Sequence, residues 1–203
     1  MGKTIITRHM MRVRTVLALY AALLLESAKI DFDAKELLDG AYELDGRTDG
    51  LNSIPPVTWE GLDPEFRACA VKALVNQNEI AQANSEYLDG WAFDRLPLVT
   101  RAIMLVAYTE SVLVKSAPKQ VAINEALVIL KQFGSESEVR YVNAVLEQAI
   151  SKALNVPTDY KGPGKVHVDL KDLEPDRQYI QSILDGEAAK VQPEAEEESA
   201  KKE

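Results

Sequence analysis

Arg8 and Arg12 stand four residues apart, so a helix would carry both on one face. Tyr20 follows eight residues later, about two turns down the same flank. Guanidinium groups neutralise phosphates, and an exposed tyrosine ring stacks on an unpaired base. The same pattern also describes a solvated basic face with Tyr20 at the edge of a core. The residues alone leave both readings open.

Catalytic chemistry is not legible elsewhere. The single Cys69 excludes an intramolecular disulfide and a cysteine-rich metal site. It lies among alanines and valines, which points to a buried, inert thiol. The two histidines, His9 and His167, are far apart and have no partner at ligand spacing. Lys161-Gly162-Pro163-Gly164-Lys165 contains proline and opens no clear helix, unlike a phosphate-cradling loop. Glu136 and Glu138 read as capping groups and solvated surface. These residues call for no metal or cofactor, and they point to a binding protein rather than an enzyme.

The elements that must position the basic face are helices. Hydrophobic residues make up 46% of the chain, ample for a core, while aromatics are only 6% and strand-like alternation is absent. A first helix is expected over about 4–27, and Asp33 caps a short second one reaching Leu44. Residues 46–56, rich in Gly, Asp, Asn and Pro, read as a loop. Asp63-Pro64 then opens a helix expected to run to about Leu88, stopped by Asp89-Gly90. A turn over 91–95 leads into a helix over 96–114. Pro118 opens another to Phe133, with Gly134 as its stop. Ser135 and Glu138 form a capping box that starts a last core helix to about Leu154.

The apolar run over 15–25 is too short to span a bilayer and is followed at once by Glu26. An amphipathic first helix of a cytoplasmic protein is the expectation. Beyond Val156 the character changes. Pro157, Gly162, Pro163 and Gly164 break helices, and residues 165–203 hold 6 basic and 11 acidic side chains. The expected division is a helical domain over 1–156 and an acidic, largely disordered extension over 157–203. Within that extension, Tyr179, Ile180, Ile183 and Leu184 could form one short docking helix.

Periodicity marks the buried faces. In the last core helix Val139, Val142, Val145, Leu146, Ala149 and Ile150 form one stripe. Asn143 falls within the part of it drawn by Val139, Leu146 and Ile150. A buried amide there needs partners. A hydrogen bond to another helix is the preferred reading, and a ligand contact the lesser one. The helix from Pro118 to Phe133 is apolar on most sides and should be central. Glu125 near its start suits the positive helix end.

Four segments carry a resemblance to a known family. They are Arg95-Leu96 leading to Arg101-Ala102-Ile103-Met104; Val121-Ala122-Ile123-Asn124-Glu125-Ala126 closing on Lys131-Gln132-Phe133-Gly134; Tyr141-Val142-Asn143-Ala144-Val145-Leu146; and, at the N-terminus, Arg12 with Ala18-Leu19-Tyr20. Together, over about 4–154, the chain resembles the NusB family of bacterial transcription antitermination factors. It departs from the family pattern at Leu105, Thr109 and Ala144, and its N-terminal arginines are thinned to Arg8, Arg12 and Arg14 around His9 and two methionines.

The resemblance implies an all-α, NusB-like fold of two small helical bundles with about seven helices. It implies binding to single-stranded boxA-like RNA with the ribosomal protein NusE, in the transcription elongation complex that resists termination on ribosomal RNA operons. By position it adds Arg101, Ser137 and Tyr141 to Arg8, Arg12 and Tyr20 as the RNA surface. The helix from Pro118 to Phe133 is the expected partner face. Two rivals stand beside this reading. One is a helical adaptor that has lost RNA binding. The other is the RNA-binding domain of a cytosine-5 RNA methyltransferase, whose catalytic α/β domain is not in this sequence.

Overall fold

A computed structural model of the 203-residue chain describes residues 7–43 and 57–167. The expected 46–56 loop and the suggested helix around Tyr179 lie outside the described residues.

Helix α1, Arg8–Ser27, starts where Thr7 accepts a hydrogen bond from the Met10 amide. It ends as Lys29 turns left-handed at φ 57°. Asp33 Oδ1 accepts from the amides of Lys35 and Glu36 and so opens α2, Ala34–Glu43. Asp63, with Pro64 at the first position, opens α3, Pro64–Val75. Met11, Ala18, Leu38, Tyr42, Leu62 and Phe66 share one apolar core, which joins α1 to α3 in the first bundle.

The single helix expected from Pro64 to Leu88 is two. It breaks at Asn76, whose amide Nδ2 donates to Lys72 O at 2.7 Å and competes with the helical ladder. Helix α4 follows as Gln77–Ser85, and a short strand β1, Leu88–Asp89, replaces the expected last turn. Gly90 has φ 69°, a conformation in which a Cβ would be strained.

Helix α5, Leu98–Tyr108, passes without a break into a π-helical segment, Thr109–Val114. Helix α6 is Lys119–Leu130 and α7 is Glu136–Leu154. Helices α5 and α6 pack on each other and on α7. The face of α6 carrying Ala122, Ile123, Ala126, Ile129 and Leu130 is buried, whereas Val121 and Val128 are exposed. The helix is thus central on one side only.

The capping box of α7 is complete: Ser135 Oγ accepts from the Glu138 amide, and Glu138 Oε2 accepts from the Ser135 amide at 3.0 Å. Gly134 precedes it for a reason other than a left-handed stop, since its φ is not positive. A Cβ there would lie 2.6 Å from Glu138 Oε2. Asn143 is exposed, not part of the buried stripe. The buried side of α7 is instead carried by Tyr141, Val142, Val145, Leu146, Ala149 and Ile150.

After α7, Asn155 turns left-handed at φ 55° and residues 157–167 fold back on the helices. Lys119 Nζ is buried and donates to Glu147, to Ser151 Oγ at 3.0 Å and to Pro157 O at 3.2 Å. Glu147 Oε1 also accepts from the Asp159 amide at 2.9 Å. The segment ends in strand β2, Val166–His167, which pairs in parallel with β1. Among the described residues the architecture is all-α apart from this two-residue pairing.

Candidate nucleic-acid interface

Arg8 opens α1 on the surface, with 48% of its side chain exposed. Its guanidinium lies 5.0 Å from the centre of the Phe66 ring, a cation–π distance. Its Nη2 meets Glu65 Oε2 at 2.8 Å, and that hydrogen bond holds the Arg8 proton more tightly than usual. Tyr20 is 37% exposed and offers a ring to solvent.

Arg12 is placed differently from the sequence expectation. Only 5% of it is exposed. Its Nε donates to Glu110 Oε2 at 2.7 Å, and its Nη1 lies 3.3 Å from Glu125 Oε2. His9 Nδ1 reaches the same Glu125 oxygen at 2.9 Å. A free phosphate contact by Arg12 would have to dismantle a buried ion pair, so Arg12 orients α1 instead. Arg14 is also buried, and it donates to the carbonyls of Tyr42 and Ala41 at 2.7 and 3.3 Å, closing the C-terminal end of α2.

Glu110 sits inside the π-helical segment. Its Oε1, with Thr109 Oγ1 and Ser111 Oγ, is buried without a hydrogen-bond partner among the described residues. π-Turns often mark functional positions, because the widened turn re-aims the side chains it carries. Here it aims a carboxylate at Arg12.

The other expected site residues gather where α5 and α7 begin. Glu138 Oε1 accepts from Thr100 Oγ1 at 3.0 Å and from the Tyr141 hydroxyl at 3.3 Å. Arg101, next to Thr100, is half-buried, with its guanidinium 6.0 Å from the centre of the Phe93 ring. Its Nε has no hydrogen-bond partner among the described residues. Ser137 is half-buried and its hydroxyl meets Ser135 Oγ at 2.9 Å. Tyr141 is only 3% exposed, so its ring packs in the core rather than facing a base.

The structure thus brings Arg101, Ser137 and Tyr141 together, and Arg8 with Arg12. The two groups lie toward opposite ends of α5, since Thr100 joins one and Glu110 the other. Ten residues of helix separate those contacts, about 15 Å. Sequence reasoning did not pair Glu65, Glu110 and Glu125 with the basic residues they face. The only signal for them was the acid at the start of α3 and in each of the two later segments.

Among the described residues no cluster of histidine, cysteine and carboxylates could hold a metal ion, and no helix is long and apolar enough to cross a membrane.

Residues 60–151 match the NusB family model. Transcription antitermination protein NusB of Bacillus subtilis is 33% identical over 87 residues, which cover 43% of this chain and 66% of that protein. The protein of the same name from Halalkalibacterium halodurans is 36% identical over 77 residues, 38% of this chain and 58% of that one. The chain therefore spans about three fifths of the length of these curated relatives. NusB of T. maritima superposes with a TM-score of 0.55 at 25% identity, over 73% of this chain and 94% of the other. A chain from the crystal structure of antitermination factors NusB and NusE in complex with dsRNA gives 0.53 at 20% identity, over 72% and 96%, and shares the fold. Residues 60–151 thus carry a NusB family domain, and the chain shares the NusB fold.

Proposed function

We propose that this protein is a transcription antitermination factor that binds single-stranded boxA-like RNA together with ribosomal protein NusE. It would act in the cytoplasm, within a transcription elongation complex on ribosomal RNA operons. The observation that carries this reading is the family match over residues 60–151, with curated relatives that are antitermination proteins. The work is binding and assembly, not catalysis.

The accessible groups suit that role. Arg8 supplies charge at one end of the surface, and Tyr20 a ring about three turns further along α1. Arg101 and the Ser137 hydroxyl supply a cation and a hydrogen-bonding group at the other. One extended strand would run along this surface and touch both ends. Arg12 and Tyr141 enter as positioning residues, one holding α1 and the other the start of α7. The exposed face of α6, with Val121 and Val128, and Phe133 in the turn after it, is the surface offered to NusE.

The test is a titration of labelled boxA RNA, with a scrambled strand as control, in the presence and absence of NusE. Expected is weak binding by the protein alone and tighter, sequence-selective binding with NusE. Equal affinity for both strands, or no binding with NusE present, overturns the proposal. A specific observation favours the adaptor as second reading: Arg12 and Tyr141 are sealed in the core. Formation of a complex with NusE that ignores RNA is its signature.

A further inference from the structure

Among the described residues at the N-terminal end of α1, Arg8, His9 and Arg12 each meet a carboxylate. Arg8 is held by Glu65 at 2.8 Å, His9 by Glu125 at 2.9 Å, and Arg12 by Glu110 at 2.7 Å and Glu125 at 3.3 Å. A carboxylate presents the same acceptor geometry to a guanidinium as a phosphate does. We infer that Glu65 and Glu125 are built-in competitors for RNA phosphate and set the protein's affinity from within. The inference rests on the RNA-binding reading and names how that site is regulated.

The placement of Glu65 is not incidental. It is the second residue of α3, where the positive helix end favours an acid. Asp63 Oδ1 accepts from its amide at 2.9 Å and Pro64 precedes it, so its backbone is fixed. Phe66, the next residue, is the ring over which Arg8 lies. The start of α3 therefore supplies both the platform that orients Arg8 and the carboxylate that occupies it.

The pair can also open. Both partners are about half exposed, 48% and 49%. Exposed pairs are weak and screened by salt, so a phosphate can take the place of Glu65 without unfolding anything. Glu125 is more enclosed, at 28%, and its Oε2 is shared between His9 and Arg12. Releasing it frees His9 while Arg12 stays on Glu110. The deep pair is structural and the two shallower carboxylates are the gate.

The experiment uses the full chain and a fluorescein-labelled single-stranded boxA RNA at low salt, with NusE present. Glu65→Gln is expected to tighten binding about two- to fivefold, the range an exposed ion pair supplies. Glu125→Gln is expected to tighten it as well. Glu79→Gln, an equal charge change on α4, controls for net charge and should do less. The gain from Glu65→Gln should vanish in an Arg8→Ala background and shrink at high salt. If Arg8→Ala weakens binding yet Glu65→Gln matches Glu79→Gln, the gating inference is wrong and the RNA reading stands. If neither the parent nor any variant binds the RNA, both fall.

Discussion

Arg12 and Glu110 meet at 2.7 Å though 98 residues separate them, and both side chains are nearly sealed from water. Removing one member of such a pair strands the other as a buried charge, which costs about 3–5 kcal/mol. Arg12→Ala should lose that much stability in urea denaturation. Replacing both together, Arg12→Met with Glu110→Leu, should recover most of the loss. A single variant within 0.5 kcal/mol of the parent, about the spread of neutral surface changes, would mean the pair carries no such role.

Gly134→Ala should destabilise by about 1–3 kcal/mol, because the new methyl drives Glu138 off its partners. Those partners are the Ser135 amide, Thr100 and Tyr141. Ser135→Ala, which removes only the cap, should cost about 1 kcal/mol. Thermal melts that reverse the order would show that Glu138 relocates freely.

Truncation after Asn155 should lower stability by about 1–3 kcal/mol, through the loss of the Pro157 carbonyl from Lys119 and of the Asp159 amide from Glu147. Lys119→Met in the full chain should also expose residues 157–167 to protease. An unchanged melt after truncation would show that the returning segment adds nothing.

Burial pushes the Cys69 thiol well above its ordinary range, and the Glu110 carboxylate adds to the shift. Burial likewise raises the Tyr42 hydroxyl. Both acids keep their protons in the folded chain while the unfolded chain releases them, at about pH 8.5 and 10 respectively. Unfolding then sheds protons, so stability should fall as pH rises through that range, with each group contributing up to about 1.4 kcal/mol per pH unit. Below about pH 7 neither group contributes an appreciable slope. Cys69 should resist a thiol reagent until the protein unfolds. Rapid labelling under native conditions would contradict its burial.

Local signals carried much of the fold. Asp33, Asp63-Pro64 and Ser135–Glu138 announce helix starts through contacts within three residues, so the chain alone reveals them. The break at Asn76 depends on a side chain that could as well have faced solvent, and a helical period does not register it. Asn143 was misplaced because the i−4, i+3 and i+7 neighbours that bracket it can be drawn on either of two adjacent faces. The candidate site was legible in residue type and not in environment. Arg8, Arg12 and Arg14 look alike in sequence. One is exposed, one pairs with Glu110, and one closes α2. Those fates are set by partners distant in the chain.

The pairing of Val166 with Leu88 has a kinetic side. It closes a loop around α5, α6 and α7, and long loops form late because their closure entropy must be met before the contact is gained. On the ribosome β2 emerges only after α1 to α7 have been made. The bundle must therefore first hold together without its clasp. During that interval the Lys119 ammonium has only Glu147 and Ser151 for company, and its remaining partners arrive with Pro157 and Asp159. The clasp then acts as a latch on a finished assembly. It should slow the opening of α7 far more than it speeds the folding of the helices it encloses.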